Sequence, residues 1–341
     1  MTVQDPSDTK AAAGPRARRR LLGKPLPKEG EDGLFSKTWF PVCMSSELPP
    51  GGIYGTGFLD GRVVAYRGES GEARVVSAYC PHLGADLAAG SVVGENIRCL
   101  FHHWQFDADG VCVKTAAGDP PPAGACLFRF PTVEKHGIVW AFNGEDPHFD
   151  VPDFPFPSEE LEYRVVVHEE IFPVDPWVIC CNTPDIQHIK ALHGINFETD
   201  PYEVIEWTDQ SMLYNFKGTH AKGEPIEFRV GIYGTSIFYQ SGTFNDRWYG
   251  YIAPFGIPAA GKSKIYYILA ARKSEGDDAS RQQLLDFVLS IQRQIIADDT
   301  PVLRSIHFQP GSLSQSDRAL AKFFQYLRSY PRAHPSAEFI R

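Results

Sequence analysis

Cys80-Pro81-His82-Leu83-Gly84 and, after sixteen residues between His82 and Cys99, Cys99-Leu100-Phe101-His102-His103-Trp104 are the stretch on which the fold of the N-terminal half turns. Each segment offers one thiol and one imidazole, in the pattern C-x-H…C-x-x-H. Two β-hairpin tips carrying these residues can meet and clamp a small inorganic centre, and Gly84, Gly90 and Gly94 suit the tight loops this needs. Two chemistries use two Cys and two His. Tetrahedral zinc is one, although zinc fingers tend to keep like ligands together. The other is a [2Fe–2S] centre with two Cys on one iron and two His on the other, and the interleaved Cys-His order favours it.

Outward from these loops, Phe35 to about Asn143 reads as short β-type runs between Gly and Pro punctuation. Examples are Gly61–Tyr66, Ala73–Tyr79 and Gly137–Phe142. Upstream, residues 1–33 mix Ala, Gly, Pro and charge around Arg16-Ala17-Arg18-Arg19-Arg20. No apolar segment follows Arg19-Arg20 as an export signal would need, so a flexible basic arm is expected. Downstream, Val151-Pro152-Asp153-Phe154-Pro155-Phe156-Pro157 is a proline-stiffened connector. The expected organisation is an arm over 1–33, an all-β domain over 34–150, a linker over 151–162 and a second domain over 163–341.

The second domain shows strand-like segments at Tyr163–His168, Met212–Phe216, Ile226–Tyr233 and Lys264–Ala270. A helix is predicted from Pro184 to His193. Another is predicted to start at Ser280, where Ser280 and Gln283 form a capping-box pattern. It continues through Leu284, Leu285, Val288, Ile291 and Ile295 at helical spacing. A last helix spans Asp317 to Ser329. The fold class is therefore α+β, an all-β first domain followed by an antiparallel sheet with helices.

The chain has 341 residues, long enough for two domains with sizeable cores. Its 33 basic and 42 acidic residues leave a net charge of −9, which gives no electrostatic reason to bind nucleic acid. No apolar run approaches the ~18 residues of a membrane span. Seven cysteines, an odd number in a long chain, fit a reducing cytoplasm with some thiols held by metal. Cys180-Cys181 reads as a small buried apolar pair.

The second domain opens with Asn182-Thr183-Pro184-Asp185-Ile186-Gln187-His188-Ile189-Lys190-Ala191-Leu192-His193, the pattern N-x-x-D-x-x-H-x-x-x-x-H. Two His five apart point about 140° from each other on a straight helix. They share a metal only if the helix distorts or ends between them, and Gly194 offers a nearby end. Asp185, three residues before His188, lies where it can accept a hydrogen bond from the ligand's second nitrogen.

Taken together, the two motifs resemble those of Rieske non-haem iron oxygenase α subunits over about residues 35–330. The positions where respiratory Rieske proteins carry an extra disulfide are Ala85 and Phe101 here, which points to the oxygenase branch. Leu100 and His103 depart from the Pro and Gly common in that family. The resemblance implies a [2Fe–2S] Rieske cluster on Cys80, His82, Cys99 and His102. It also implies a mononuclear Fe(II) held by His188, His193 and one distant carboxylate, a 2-His-1-carboxylate triad with one face open. Asp299 is favoured for that carboxylate over Asp298, with Asp317 a weaker candidate, and helical phase on the Ile291–Ile295 face does not separate the neighbours. Asp185 and Asn182 are the implied catalytic residues, Asp185 bridging towards a neighbouring chain's His82 or His102. The fold implied is a Rieske domain plus a helix-grip catalytic domain, in a head-to-tail homotrimer of the α3 type with steroid-type monooxygenases among its members.

No dinucleotide-binding fingerprint opens a helix. Electrons are thus expected from a separate NAD(P)H-dependent reductase, directly or through a ferredoxin. The reaction implied is O2-dependent hydroxylation, demethylation or dihydroxylation of a small apolar aromatic or steroid-like substrate. Phe216, Phe228, Tyr233, Phe238 and Tyr239 are candidates for its pocket. The alternative is a Rieske electron-transfer or regulatory protein without oxygenase turnover.

Overall fold

A computed structural model describes residues 23–220, 223 and 225–341. The first domain is built of three small antiparallel sheets, as short β runs between turn residues dictate. One has the order 129–130, 73–77, 61–67, 53–58, and a second the order 132–135, 138–142, 39–44. These two enclose a core of Phe40, Phe58, Val63, Val75, Phe130 and Val139. Phe58 meets Phe40 and Phe130 edge to face at 5.9 and 5.4 Å, geometry that aromatic quadrupoles favour. The third sheet, 91–93, 96–98, 105–106, 112–114, carries the Cys/His loops and packs over a separate core containing Val64, Tyr66, Ile97 and Phe106.

The second domain is one long antiparallel sheet in the order 161–172, 263–272, 247–256, 237–244, 225–233, 211–220, 195–197, with 206–207 beside 211–220. All four strand segments expected there are present and longer than the runs that signalled them. The long helix Asp278–Ser305 packs across one face through Leu284, Leu285, Val288, Leu289, Ile296 and Leu303. Its cap differs from expectation. Asp277 Oδ1 accepts the Ser280 N–H at 2.9 Å, so Asp277 is the N-cap and Ser280 lies inside the first turn. The helix also runs on through Pro301, whose missing N–H leaves the Ala297 carbonyl without its helical donor. The last helix spans Arg318–Ser329.

Three features differ from the simple order of arm, domain, linker and domain. Part of the expected arm, 1–22, lies outside the described residues. The remainder, 23–33, is packed rather than solvated: Leu26 is in the second domain's core and Glu29 is buried, accepting from the Ser36 N–H and hydroxyl. The connector is not a free spacer either, because Val151 and Phe154 are buried between the domains. There they join Trp39, Trp140 and Phe142 of the first domain to Ile237, Trp248 and Ile268 of the second. Lastly, the C-terminus returns to the first domain. Phe35 pairs with Ala333, Asn143 Nδ2 donates to the Ala333 carbonyl at 2.8 Å, and Ile340 is buried in the first core. Burial of apolar side chains outweighs the local polarity that made these segments read as tails and linkers.

Candidate metal centres

In the first loop the Cys80 N–H donates to the Ala85 carbonyl at 2.9 Å and the Gly84 N–H to the Cys80 carbonyl at 2.8 Å. Gly84 has φ +76°, open to a residue without Cβ. In the second loop the Cys99 N–H donates to the Trp104 carbonyl at 2.9 Å, and His103 takes φ +53° where glycine was expected. These turns bury both thiols and leave His82 exposed and His102 half-buried above them. The two imidazole rings lie 4.6 Å apart, and Trp104 stacks on His82 at 4.4 Å. Burial, with Cys99 beside it, pushes the Cys80 thiol up to about 11. Holding it as thiolate takes a cation at the site, which is what a metal cluster supplies. The two sulfurs inside and two rings outside fit a [2Fe–2S] centre.

The second centre forms where two helices meet. Asp185 caps the helix Ile186–His193, its Oδ1 accepting the His188 backbone N–H at 3.0 Å. That differs from the expected bond to the His188 ring. Gly194, in the left-handed conformation at φ 67°, ends the helix immediately after His193. The rings of His188 and His193 therefore converge despite their spacing, with Nε2 atoms 3.0 Å apart and ring planes at 82°.

Asp299 reaches the pair from the long helix. Its Oδ1 lies 3.2 Å from His193 Nε2 and 3.5 Å from His188 Nε2. Asn182 Nδ2 donates to the other oxygen, Oδ2, at 3.1 Å. Oδ1 is buried and makes no hydrogen bond among the described residues. An orphaned carboxylate oxygen facing two imidazole nitrogens is costly unless a cation completes it. The three donors lie within 4.8 Å of one another and fit a 2-His-1-carboxylate site for Fe(II). Burial depresses the His188 imidazole's proton affinity, with Asp299 opposing, so neutral ligand nitrogen is favoured.

The neighbours fare differently. The Asp298 side chain is 37% exposed against 5% for Asp299, and its Oδ1 accepts from Gln294 at 2.7 Å. Asp317 is elsewhere, accepting from Gln187 and the Ser314 N–H at the start of the last helix. The phase that separates the pair is the buried stripe Leu285, Val288, Gln292, Ile296, Asp299, Leu303. Ile291 is 40% exposed and so belongs to another face.

A cavity of about 940 Å³ opens from this cluster between sheet and helix, lined by His188, His193 and Asp299 at one end. Phe216, Phe228 and Phe238 line it as expected. Tyr233 and Tyr239 do not: strand alternation turns them to the opposite face, against the core shared with the first domain. Gln240, Tyr249 and Gln292 line it without having been expected. Each carries only a weak sequence signal, its periodicity along a strand or helix.

Residues 38–132 match the Rieske [2Fe-2S] domain family. Cholesterol 7-desaturase nvd of Bombyx mori is 33% identical over 206 residues, 58% of this chain and 43% of the relative. The first domain is a Rieske domain, and over that part the chain is similar to Rieske oxygenases. It spans less than half the length of that curated relative. Among solved structures, dicamba monooxygenase bound to dicamba superposes with TM-score 0.65 at 22% identity, over 86% of this chain and 97% of the other. NdmA of Pseudomonas putida CBB5 with caffeine gives TM-score 0.65 at 20% identity, over 85% and 89%. These likenesses establish the two-domain fold.

Proposed function

We propose that this protein is the terminal oxygenase component of a Rieske non-haem iron system. The observation that carries the reading is the bare Asp299 Oδ1 beside two imidazole nitrogens, at the end of an apolar cavity of about 940 Å³. Cys80, His82, Cys99 and His102 would hold the cluster, and His188, His193 and Asp299 the mononuclear Fe(II). With both groups bound, the site supplies reductive activation of O2 beside the substrate. The chain's own residues prepare that chemistry. Asn182 holds one Asp299 oxygen and leaves the other free. Neutral His188 needs to lose no proton to bind metal. The aromatic wall excludes water and accepts a flat or fused-ring apolar molecule.

The substrate class is a small apolar aromatic or steroid-like molecule, and the outcome hydroxylation, demethylation or dihydroxylation. Electrons come from a separate NAD(P)H-dependent reductase, directly or through a ferredoxin. Exposed Leu83, Leu100 and Phe101 ring the cluster loops and suit protein contact. Assembly as a head-to-tail trimer would set these loops against Asp185 of the next chain. No helix among the described residues is long and apolar enough to cross a membrane, and seven cysteines with no disulfide among them suit a cytoplasmic setting.

Metal analysis and O2 uptake test the reading together. Anaerobically purified protein is expected to hold about three irons and two acid-labile sulfides per chain, with reductase-driven O2 uptake that rises with substrate. About two irons and no uptake would make it an electron carrier. Zinc without sulfide would overturn the cluster assignment itself.

A further inference from the structure

Two buried glutamines and a half-buried tyrosine form a polar stretch in the largely apolar wall of the cavity. Gln240 projects from the strand Ile237–Phe244, Tyr249 from Arg247–Gly256 and Gln292 from the long helix. Gly242 pairs with Tyr249 and Gln240 with Tyr251, so alternation brings Gln240 and Tyr249 to the cavity face together. Opposite Tyr249, Gly242 leaves room for the ring; a Cβ there would lie 3.4 Å from the phenol oxygen.

The three form a chain of hydrogen bonds. Gln292 Nε2 donates to Gln240 Oε1 at 3.3 Å, and Gln240 Nε2 donates to Tyr249 Oη at 2.8 Å. Among the described residues the two ends are open: Gln292 Oε1 has no donor, and the Tyr249 O–H has no acceptor. Burial pushes the Tyr249 phenol up to about 12, so it remains a donor at physiological pH. Gln292 is 5% exposed and Gln240 8%, each more than nine-tenths buried. A purely structural link between helix and sheet gains little from this, since an apolar pair of the same shape would be about as stable. Open donor and acceptor ends facing a cavity have a use when a ligand satisfies them.

We propose that Tyr249 and Gln292, linked through Gln240, form a recognition point for one oxygen function, a ketone or hydroxyl, on an otherwise apolar ring substrate. A ketone accepts from the Tyr249 O–H. A hydroxyl does the same and donates to Gln292 Oε1. The long helix then acts as a ruler. Gln292 and Asp299 are seven residues apart, about 10 Å along the axis and within about 20° of the same face. The carbon presented to His188, His193 and Asp299 lies on the order of 10 Å from the anchored oxygen, a span suited to fused rings. The position of the reacting end rests on the oxygenase reading above; the recognition of oxygen does not.

Equilibrium binding to the oxidised holoprotein tests this without turnover. The probes are androstanone and androstanol against androstane, with fluorenone against fluorene as a smaller pair. Wild-type protein is expected to bind an oxygenated probe about tenfold or more tighter than its hydrocarbon. Tyr249→Phe and Gln292→Leu should bring that ratio to within about twofold with hydrocarbon affinity kept or improved, and with an unchanged cluster spectrum. If Gln292→Leu does not fold, Tyr249→Phe, which deletes a single oxygen, decides alone. No preference or no binding of oxygenated probes by wild type, or a ratio that survives Tyr249→Phe, would overturn the proposal. Loss of reductase-dependent O2 uptake counts against the oxygenase reading and leaves the ratio standing.

Discussion

Two adjacent aspartates on one helix have opposite fates, and a single step of about 100° along the helix separates them. Asp299 falls on the buried stripe and points a bare oxygen at His188 and His193, while Asp298 turns towards Gln294 and solvent. Asp299→Ala is therefore expected to lower iron from about three to about two per chain and cut turnover more than about 100-fold, with the cluster's visible and EPR spectra intact. Asp298→Ala should keep its iron. Asn182→Ala, which removes only the hydrogen bond to Oδ2, should weaken iron binding roughly 10- to 100-fold, as loss of an outer-shell partner typically does. Iron lost with Asp298→Ala and retained with Asp299→Ala would reverse the assignment. The two histidines were legible as a motif, whereas Asp299 was favoured over Asp298 by the family resemblance alone, since helical phase did not separate them. Helical spacing in the sequence points to Ile291 and Ile295 as the core face, whereas the buried face runs through Gln292 and Ile296.

The elements that carry the proposed iron ligands are fixed at their ends by short-range chemistry. Asp185 and Gly194 bracket the His188–His193 helix, and Asp277 starts the long helix that delivers Asp299. Asp277→Ala is expected to lower stability measurably, because the Ser280 N–H loses its acceptor. Ser280→Ala should cost less than half of that. Denaturant melts of the two variants decide it, and equal losses would return the cap to Ser280. A Ser/Gln capping-box pattern thus predicted the helix correctly and its first residue wrongly. An acidic neighbour three residues upstream competed for the same N–H and is the one that forms the bond.

Across the described molecule, residues 23–33 and the C-terminal segment are tied into the two domains, and the tie carries a pH dependence. Glu29 is buried, accepting from Ser36 while its own N–H donates to Asp175. Burial pushes its carboxyl up from 4.5 to about 7, with the Asp175 charge adding and the Ser36 bonds opposing. The folded state then holds a proton that the unfolded chain releases. Its contribution is fully present below about pH 4.5 and is lost as pH rises to about 7, on the order of 3 kcal/mol in all. Glu29→Gln removes this term. Its melting temperature relative to wild type should climb between pH 5 and 7 and level off above, and a difference independent of pH would refute the assignment. Assembly supplies the other test. Asparagine also caps helices, so Asp185→Asn should retain iron and the trimer while removing the charge proposed to bridge chains. Turnover is expected to fall by at least about 100-fold; near-normal turnover, or an active monomer on a sizing column, would remove the inter-subunit proposal.

The two metal-type motifs, the β texture of the first half and the strand-then-helix order of the second were written in local residue patterns, because ligand identity and backbone periodicity act over a few neighbours. Cys80, His82, Cys99 and His102 could be found as one set for that reason, and so could His188 and His193. What long-range packing settled lies beyond any local window. It put Leu26 and Ile340 into cores far from them in sequence, and it turned Tyr233 and Tyr239 away from the cavity. It also carried Asp299 across 106 positions to His193 and joined Gln240, Tyr249 and Gln292 into one polar chain. The physical reason is that burial is a property of the assembled surface: which face of a strand or helix becomes interior depends on what docks against it.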